Sequence, residues 1–143
     1  YMKQMETQIN SLCLTKGINL SAEIDTSLGT CNIDKLLLER AVMNVVNNAI
    51  DYSPSHGTLY IKASNRGEFL EITITDEGSG FSTEALLHAQ EQFFMGNKSR
   101  TSRMHFGMGL DITSNIIKQH KGQILLGNSD KTKGAEVLLK IPY

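Results

Sequence analysis

Three groups of residues in this 143-residue chain have types and spacings that could do chemistry. The first is Asp76-Glu-Gly78-Ser-Gly80. Asp76 is in phase with Leu70, Ile72 and Ile74, so it falls at the core-facing end of a predicted strand. A carboxylate there is costly unless it is paired or hydrogen-bonded. The two glycines would let backbone approach a ligand closely. Asp76 either caps the turn or receives such a ligand. The second group is Asn44, Asn48 and Tyr52, which share one side of a predicted helix with Leu37 and Ala41. An amide oxygen can ligate a hard cation, and Mg²⁺ typically sits between such a ligand and phosphates. The bland alternative is a helix-surface asparagine, which is the reading for Asn47, turned away from the apolar stripe. The third group runs Lys98-Ser-Arg100-Thr-Ser-Arg103 and leads to Gly107-Met108-Gly109-Leu110 at a helix start. Free N–H groups and the helix dipole attract phosphate at such a place. A solvated basic loop ahead of a helix is the alternative.

Other nucleotide and catalytic patterns fail. Walker A needs glycines ahead of Lys98-Ser99 that are missing, and Thr83 and Ile112 occupy the third positions of any Gly-x-Gly-x-x-Gly. His56, His88, His105 and His120 do not combine with cysteine at metal-ligand spacing. No nucleophile-elbow motif is present. Met95, Met104 and Met108 read as cover for a lid. Fourteen Lys plus Arg against fifteen Asp plus Glu leave a net charge of −1. That argues against a broad grip on nucleic acid or on an anionic membrane. With 40% hydrophobic and 20% charged residues the chain is not disordered. No apolar run approaches the ~20 residues of a membrane span, and no signal peptide opens the chain. Cys13 and Cys31 read as reduced thiols of a cytoplasmic domain, with a bridge between them as the alternative. The start at Tyr1, without methionine, suits a fragment of a larger protein.

These residues need elements to hold them. Met2, Met5, Ile9 and Leu12 predict a helix over the first sixteen residues, stopped by Gly17. Ile18, Leu20, Ala22 and Ile24 alternate as a strand. Asp34 is a good N-cap for a helix from Lys35 to Tyr52, which the pair Ser53-Pro54 should end. Leu59, Ile61 and Ala63, then Leu70, Ile72 and Ile74, mark two strands around a turn at Asn65-Arg66-Gly67. A short helix is expected from Ser82 to about Gln92, and residues 93–108 lack a clean period. A helix from about Met108 to His120 should close at Gly122. Strands at Gln123–Asn128 and Gly134–Ile141 finish the chain. Helices segregated onto one face of a mixed sheet make a two-layer α+β sandwich.

The order of the three groups resembles a known family. Asn44-Val-Val-Asn-Asn48-Ala-Ile-Asp-Tyr52-Ser-Pro resembles the N box of sensor histidine kinases, and Asp76-Glu-Gly78-Ser-Gly80-Phe their G1 box. Glu91-Gln-Phe93-Phe94-Met95 followed by Lys98-Ser-Arg100 is similar to the F box and ATP lid. His105-Phe-Gly107-Met108-Gly109-Leu110 is similar to the G2 box, and Gly134 to Pro142 to the closing strand. The family is the catalytic and ATP-binding domain of two-component histidine kinases, in the GHKL group shared with gyrase, Hsp90 and MutL. The resemblance implies a Bergerat fold: a mostly antiparallel mixed sheet, helices on one face and a flexible ATP lid. It divides the chain into the end of a linker helix (1–16) and the ATP-binding domain (17–143). It implies ATP and Mg²⁺ as ligands. Asp76 would accept from the adenine amino group, with Gly78 and Gly80 close to the base and Tyr52 packed on it. Asn48 would ligate Mg²⁺, with Asn44 near the phosphates. Lys98, Arg100 and Arg103 would neutralise phosphate charge, and the N–H groups of Gly107 and Gly109 would meet the phosphates. Phe93, Met108 and Leu110 would complete the nucleotide site. Asn44, Lys98 and Arg100 would serve the transfer itself.

The resemblance also has departures. Asp51 stands where the family usually has Lys or Arg, Gln90 is near the place of an aromatic, and His105 replaces a common glycine. The leading expectation is a kinase module that passes the γ-phosphoryl group to a histidine. The four histidines here precede Gly, Ala, Phe and Lys, whereas the family's acceptor usually precedes Glu or Asp. The acceptor is therefore expected on a separate dimerisation domain of the same protein, with a response regulator downstream. No nucleic acid and no direct membrane contact are expected of this domain. A hydrolysing switch of the gyrase and Hsp90 branch would place Glu where this chain has Asn44, which takes no proton at neutral pH. A scaffold that binds without transfer is the remaining alternative.

Overall fold

The computed structural model describes residues 2–25, 27–29, 32–87 and 108–143, with the Met108 side chain left aside. Helix α1 spans Met2–Lys16 and strand β1 Asn19–Ile24. Gly17 between them has φ +71°, the left-handed conformation that glycine adopts without penalty. The buried stripe of α1 is Met5, Ile9 and Cys13, with Met2 and Leu12 packed at its margin. Burial pushes the Cys13 thiol up, which keeps it protonated in the core.

Helix α2 (Lys35–Tyr52) begins where Asp34 accepts from the N–H groups of Leu36 and Leu37 at 2.9 and 3.1 Å. It ends at Ser53, whose extended ψ of 143° is what a residue before proline prefers. Strands β2 (Thr58–Arg66) and β3 (Phe69–Thr75) form a hairpin. The turn differs from expectation. Asn65 and Arg66 belong to β2, Arg66 faces Phe69, and the two-residue turn is Gly67-Glu68. Gly67 supplies the positive φ, +62°, at its first position. Asn65 instead donates through its side chain to the Ser27 carbonyl at 2.9 Å.

Helix α3 spans Met108–Gln119, followed by β4 (Gln123–Asn128) and β5 (Ala135–Pro142). The close of α3 also departs from the expected glycine. Lys121, not Gly122, takes the left-handed conformation, with φ +62°. The N–H of Gly122 reaches the Ile117 carbonyl at 2.9 Å and that of Lys121 the Lys118 carbonyl at 3.0 Å, the bond pair of a Schellman cap. Gly122 is needed for room, because a Cβ there would collide with the Lys140 carbonyl. Of the expected 82–92 helix, residues 83–87 are helical, capped by Ser82, whose hydroxyl accepts from the Ala85 N–H at 3.0 Å. The rest of it, and residues 93–107, lie outside the described residues.

The sheet order is β1-β2-β3-β5-β4, with β1 parallel to β2 and the other pairs antiparallel. Alternate residues of the inner strands are buried: Leu59, Ile61 and Ala63, then Leu70, Ile72 and Ile74, then Val137, Leu139 and Ile141. They meet Leu38, Ala41, Val42, Val45, Val46, Ala49 and Ile50 of α2. The opposite sheet face carries polar residues such as Lys62 and Glu71. This is the expected two-layer sandwich. The Thr113 hydroxyl of α3 donates to the Ala41 carbonyl at 3.0 Å, tying the two site-bearing helices together. Ile72 is wholly buried at the centre of β3. Ile72→Ala is expected to cost about 3–4 kcal/mol of stability through lost burial and a residual cavity. Urea unfolding followed by far-UV circular dichroism reads that loss as a lower midpoint at unchanged slope.

Candidate functional site

The site begins at the end of β3. Strand alternation carries Leu70, Ile72 and Ile74 inward, and Asp76 continues that phase one residue beyond the strand. It is 2% exposed. Its Oδ1 accepts two backbone bonds, from Gly78 and from Ala135, each at 2.9 Å. Its own N–H donates to the Ala135 carbonyl at 3.0 Å, and its carbonyl accepts from the Thr132 hydroxyl at 2.7 Å. Oδ2 receives no donor among the described residues. Burial pushes the carboxyl above the ordinary carboxylate range, while the Gly78 and Ala135 N–H groups pull against that rise. The result is a carboxylate with one oxygen committed to the fold and one in reserve.

A cleft of about 300 Å³, open mouth included, lies between α2 and the β3–β5 pair. Asn48 and Tyr52 from α2, Asp76, and Leu110 from α3 all line it. Four side chains singled out from sequence thus share one cavity. Tyr52 sits at the rim, 60% exposed, and Leu110 at the floor, 1% exposed. Gly78 packs so closely on the end of α2 that a Cβ would collide with the Tyr52 carbonyl. Gly80 has φ +80°, and a Cβ there would come within 2.8 Å of both Asn128 Oδ1 and the Lys133 carbonyl. The two glycines therefore let the loop thread between α2 and the β4–β5 turn. Glu77 ties the same loop to β2, accepting from the Thr58 N–H at 2.7 Å.

Asn44 does not line the cleft. It stands one turn before Asn48, and its Nδ2 is buried without a hydrogen-bond partner among the described residues. A buried amide donor of this kind needs an acceptor. Met108 and Gly109 open α3, so their backbone is at its first turn. Phe93, Lys98, Arg100, Arg103 and Gly107 lie outside the described residues.

Several residues of the site were not singled out from sequence. Phe81, Ala135, Val137, Val45 and Ile74 supply apolar wall. Asn128 holds Phe81 by both backbone groups, accepting from its N–H at 2.7 Å and donating to its carbonyl at 2.9 Å. Gly134 was noted only as part of a closing strand. A Cβ there would collide with the Asp76 carbonyl and come within 2.5 Å of Oδ1. The one usable signal was Thr132 two residues before Gly134, the spacing of a hydroxyl turn.

Comparisons with known proteins agree with this geometry. Residues 33–143 match the family described as "Histidine kinase-, DNA gyrase B-, and HSP90-like ATPase". The sensor histidine kinase SpaK of Bacillus subtilis is 39% identical over 140 residues, covering 96% of this chain and 30% of its own length. The sensor protein SphS of Synechococcus elongatus is 34% identical over 116 residues, covering 76% of this chain and 28% of its own. The chain thus spans under a third of these curated relatives. Among solved structures, the catalytic domain of histidine kinase ThkA superposes with TM-score 0.78 at 20% identity, over 99% of this chain and 91% of that one. Full-length ShkA, solved in complex with AMPPNP, gives TM-score 0.78 at 21% identity over 99% of this chain and 30% of that one. A half-committed carboxylate facing a cleft under the long helix, on this sheet and with these relatives, has one reading: the chain belongs to the histidine kinase-, DNA gyrase B- and HSP90-like ATPase family, as a catalytic ATP-binding domain of the sensor histidine kinase type.

Proposed function

We propose that this domain holds Mg-ATP in the cleft and passes the γ-phosphoryl group to a histidine on a dimerisation domain of the same full-length protein, which then serves a response regulator. The observation that carries the reading is the shared cleft of Asp76, Asn48 and Tyr52. Asp76 Oδ2 accepts from the adenine amino group, and Tyr52 covers the base at the rim. Leu110 and Phe81 flank it with apolar surface. The triphosphate runs toward the start of α3, where Met108, Gly109 and Leu110 offer backbone N–H groups, with Gly107 assigned to the same role by the family resemblance. By the family resemblance, Lys98, Arg100 and Arg103 neutralise its charge and Phe93 belongs to the nucleotide site; all four lie outside the described residues. That the structural neighbour ShkA was solved in complex with AMPPNP supports a nucleotide as the ligand.

The donor set fits a magnesium ion. Among the described residues no three histidine, cysteine or carboxylate side chains gather. Asn48, with Asn44 beside it, offers amide oxygen instead, which suits a hard cation that keeps waters and phosphate oxygens as its other ligands. Such an ion supplies charge neutralisation across the phosphates when bound. The histidine nitrogen bonds the γ-phosphorus as the bond to the β–γ bridging oxygen breaks, and ADP departs. Positioning and electrostatics are what this transfer asks of the protein. Asn44 stands where a hydrolysing relative would need a base for water and supplies none, which favours transfer over hydrolysis. Helix α1, Met2–Lys16, serves as the end of the helix that links to the dimerisation domain. Among the described residues no helix is long and apolar enough to cross a membrane.

Asn48→Ala is expected to remove about tenfold of the affinity for a non-hydrolysable ATP analogue in Mg²⁺, and little of the affinity in excess chelator. Equal losses under both conditions would take the metal away from Asn48. For the transfer itself, the domain is mixed with the histidine-bearing dimerisation domain and γ-labelled ATP. Acid-labile label on that partner is the expected result. A bound nucleotide with no label would leave a scaffold that binds ATP.

A further inference from the structure

The turn between β4 and β5 does more than connect strands. We infer that Thr132 is a positioning residue for the nucleotide site, acting through Asp76; this rests on the ATP-binding reading above. The Thr132 hydroxyl donates to the Asp76 carbonyl at 2.7 Å and accepts from the Gly134 N–H at 3.0 Å. A threonine hydroxyl has one proton to give, so its donor capacity is fully used by Asp76. The bond to Gly134 sets the approach of the next residue. Ala135 then reaches Asp76 twice, N–H to Oδ1 at 2.9 Å and carbonyl from the Asp76 N–H at 3.0 Å. The hydroxyl makes two bonds, one to Asp76 and one from Gly134, and the two Ala135 bonds complete the tie between the acidic residue and the last strand.

The rest of the turn is built to hold that hydroxyl in place. Ser129 is buried, and its Oγ accepts from the N–H groups of Lys131 and Thr132 at 3.2 and 3.3 Å. Its N–H donates to the Gly134 carbonyl and its carbonyl accepts from the Lys133 N–H, both at 2.9 Å. Lys133 takes φ +64°, a conformation a lysine adopts only when its surroundings impose it. That kink folds the Gly134 N–H back onto Thr132. Neither Thr132 nor Ser129 lines the cleft. Among the described residues the route from Thr132 to the ligand thus runs through Asp76, whose carboxylate is kept turned with Oδ1 on the fold and Oδ2 toward the cleft.

The test uses Thr132→Val, which keeps the shape and removes the hydroxyl, and Thr132→Ser, which keeps the hydroxyl. Affinity for a non-hydrolysable ATP analogue in Mg²⁺ is measured on variants whose far-UV circular dichroism and thermal transition show a folded domain. Thr132→Val is expected to weaken binding about fivefold to tenfold, the worth of a hydrogen bond lost at a buried carbonyl. Thr132→Ser is expected to stay within about twofold of wild type. In an Asp76→Asn background, Thr132→Val is expected to add less than about twofold, because the carboxylate oxygen it positions is already gone. The same factor in both backgrounds would show that Thr132 acts on overall stability and would overturn the inference. So would wild-type affinity in Thr132→Val. Wild-type protein that binds no nucleotide would instead bring down the ATP reading, and this inference with it.

Discussion

Asp76→Asn is expected to weaken binding of an ATP analogue about a hundredfold, about 2.7 kcal/mol. The size follows from what the substitution does at one atom. Oδ1 already takes the Gly78 and Ala135 N–H groups, so an amide oxygen will settle there. The amide nitrogen must then occupy the place of Oδ2 and point hydrogens into the cleft. An acceptor for the adenine amino group becomes a competing donor, and a charge-assisted bond worth about 1.5–3 kcal/mol is lost. Displacement of a fluorescent ATP analogue measures the change. The same substitution has the opposite effect on the empty domain. Burial raises the Asp76 carboxyl above its unfolded value, so the folded chain holds that proton more tightly than the unfolded chain. The charged form therefore costs stability above the raised pKa, and the cost fades as pH falls through it. Asp76→Asn should melt above wild type in mildly alkaline buffer and match it in acid. A variant that binds worse and melts higher separates a binding role from a folding role.

Gly134→Ala carries the second large effect. A single methyl placed there would collide with the Asp76 carbonyl and crowd Oδ1. Both atoms belong to a residue held by bonds to Gly78, Thr132 and Ala135, so neither can yield cheaply. Overpacking of this kind costs about 1–3 kcal/mol or more. The relief open to the chain is to push β5 away from Asp76, which breaks the Ala135 bonds. Nucleotide affinity is therefore expected to fall at least about tenfold together with the melting temperature. Thermal unfolding with and without an ATP analogue reads both. In Gly127→Ala, a control on β4 where a Cβ would meet nothing within 4 Å, binding should be unaffected.

Much of this arrangement was legible in the residues. The apolar pairs of α2 and its cap at Asp34 define the longest helix among the described residues, because amphipathic period and capping chemistry act locally. The phase of Leu70, Ile72, Ile74 and Asp76 shows a carboxylate entering a core, and that phase survives in the fold. What was not legible depends on contacts distant in sequence. The hairpin turn moved to Gly67-Glu68 because Asn65 is drawn to the Ser27 loop. The close of α3 fell on Lys121 because Gly122 was required for clearance against β5. Thr132 and Gly134 look like an ordinary polar turn until β5 lies beside β3 and brings them onto Asp76, 56 residues from Thr132 in sequence. Asn44 is similar: period alone put it beside Asn48, and packing left its amide buried and unpartnered among the described residues.

In the proposed complex a purine ring is held by the free oxygen of Asp76 while α2 anchors the metal-bound phosphates. Calorimetric titration with a non-hydrolysable ATP analogue, with and without Mg²⁺, and with its guanine counterpart, tests this arrangement most directly. One saturable site is expected for the adenine nucleotide, tightened by Mg²⁺, with the guanine nucleotide far weaker because its carbonyl would face Oδ2. Equal affinity for both bases, or heat that ignores Mg²⁺, would contradict the account.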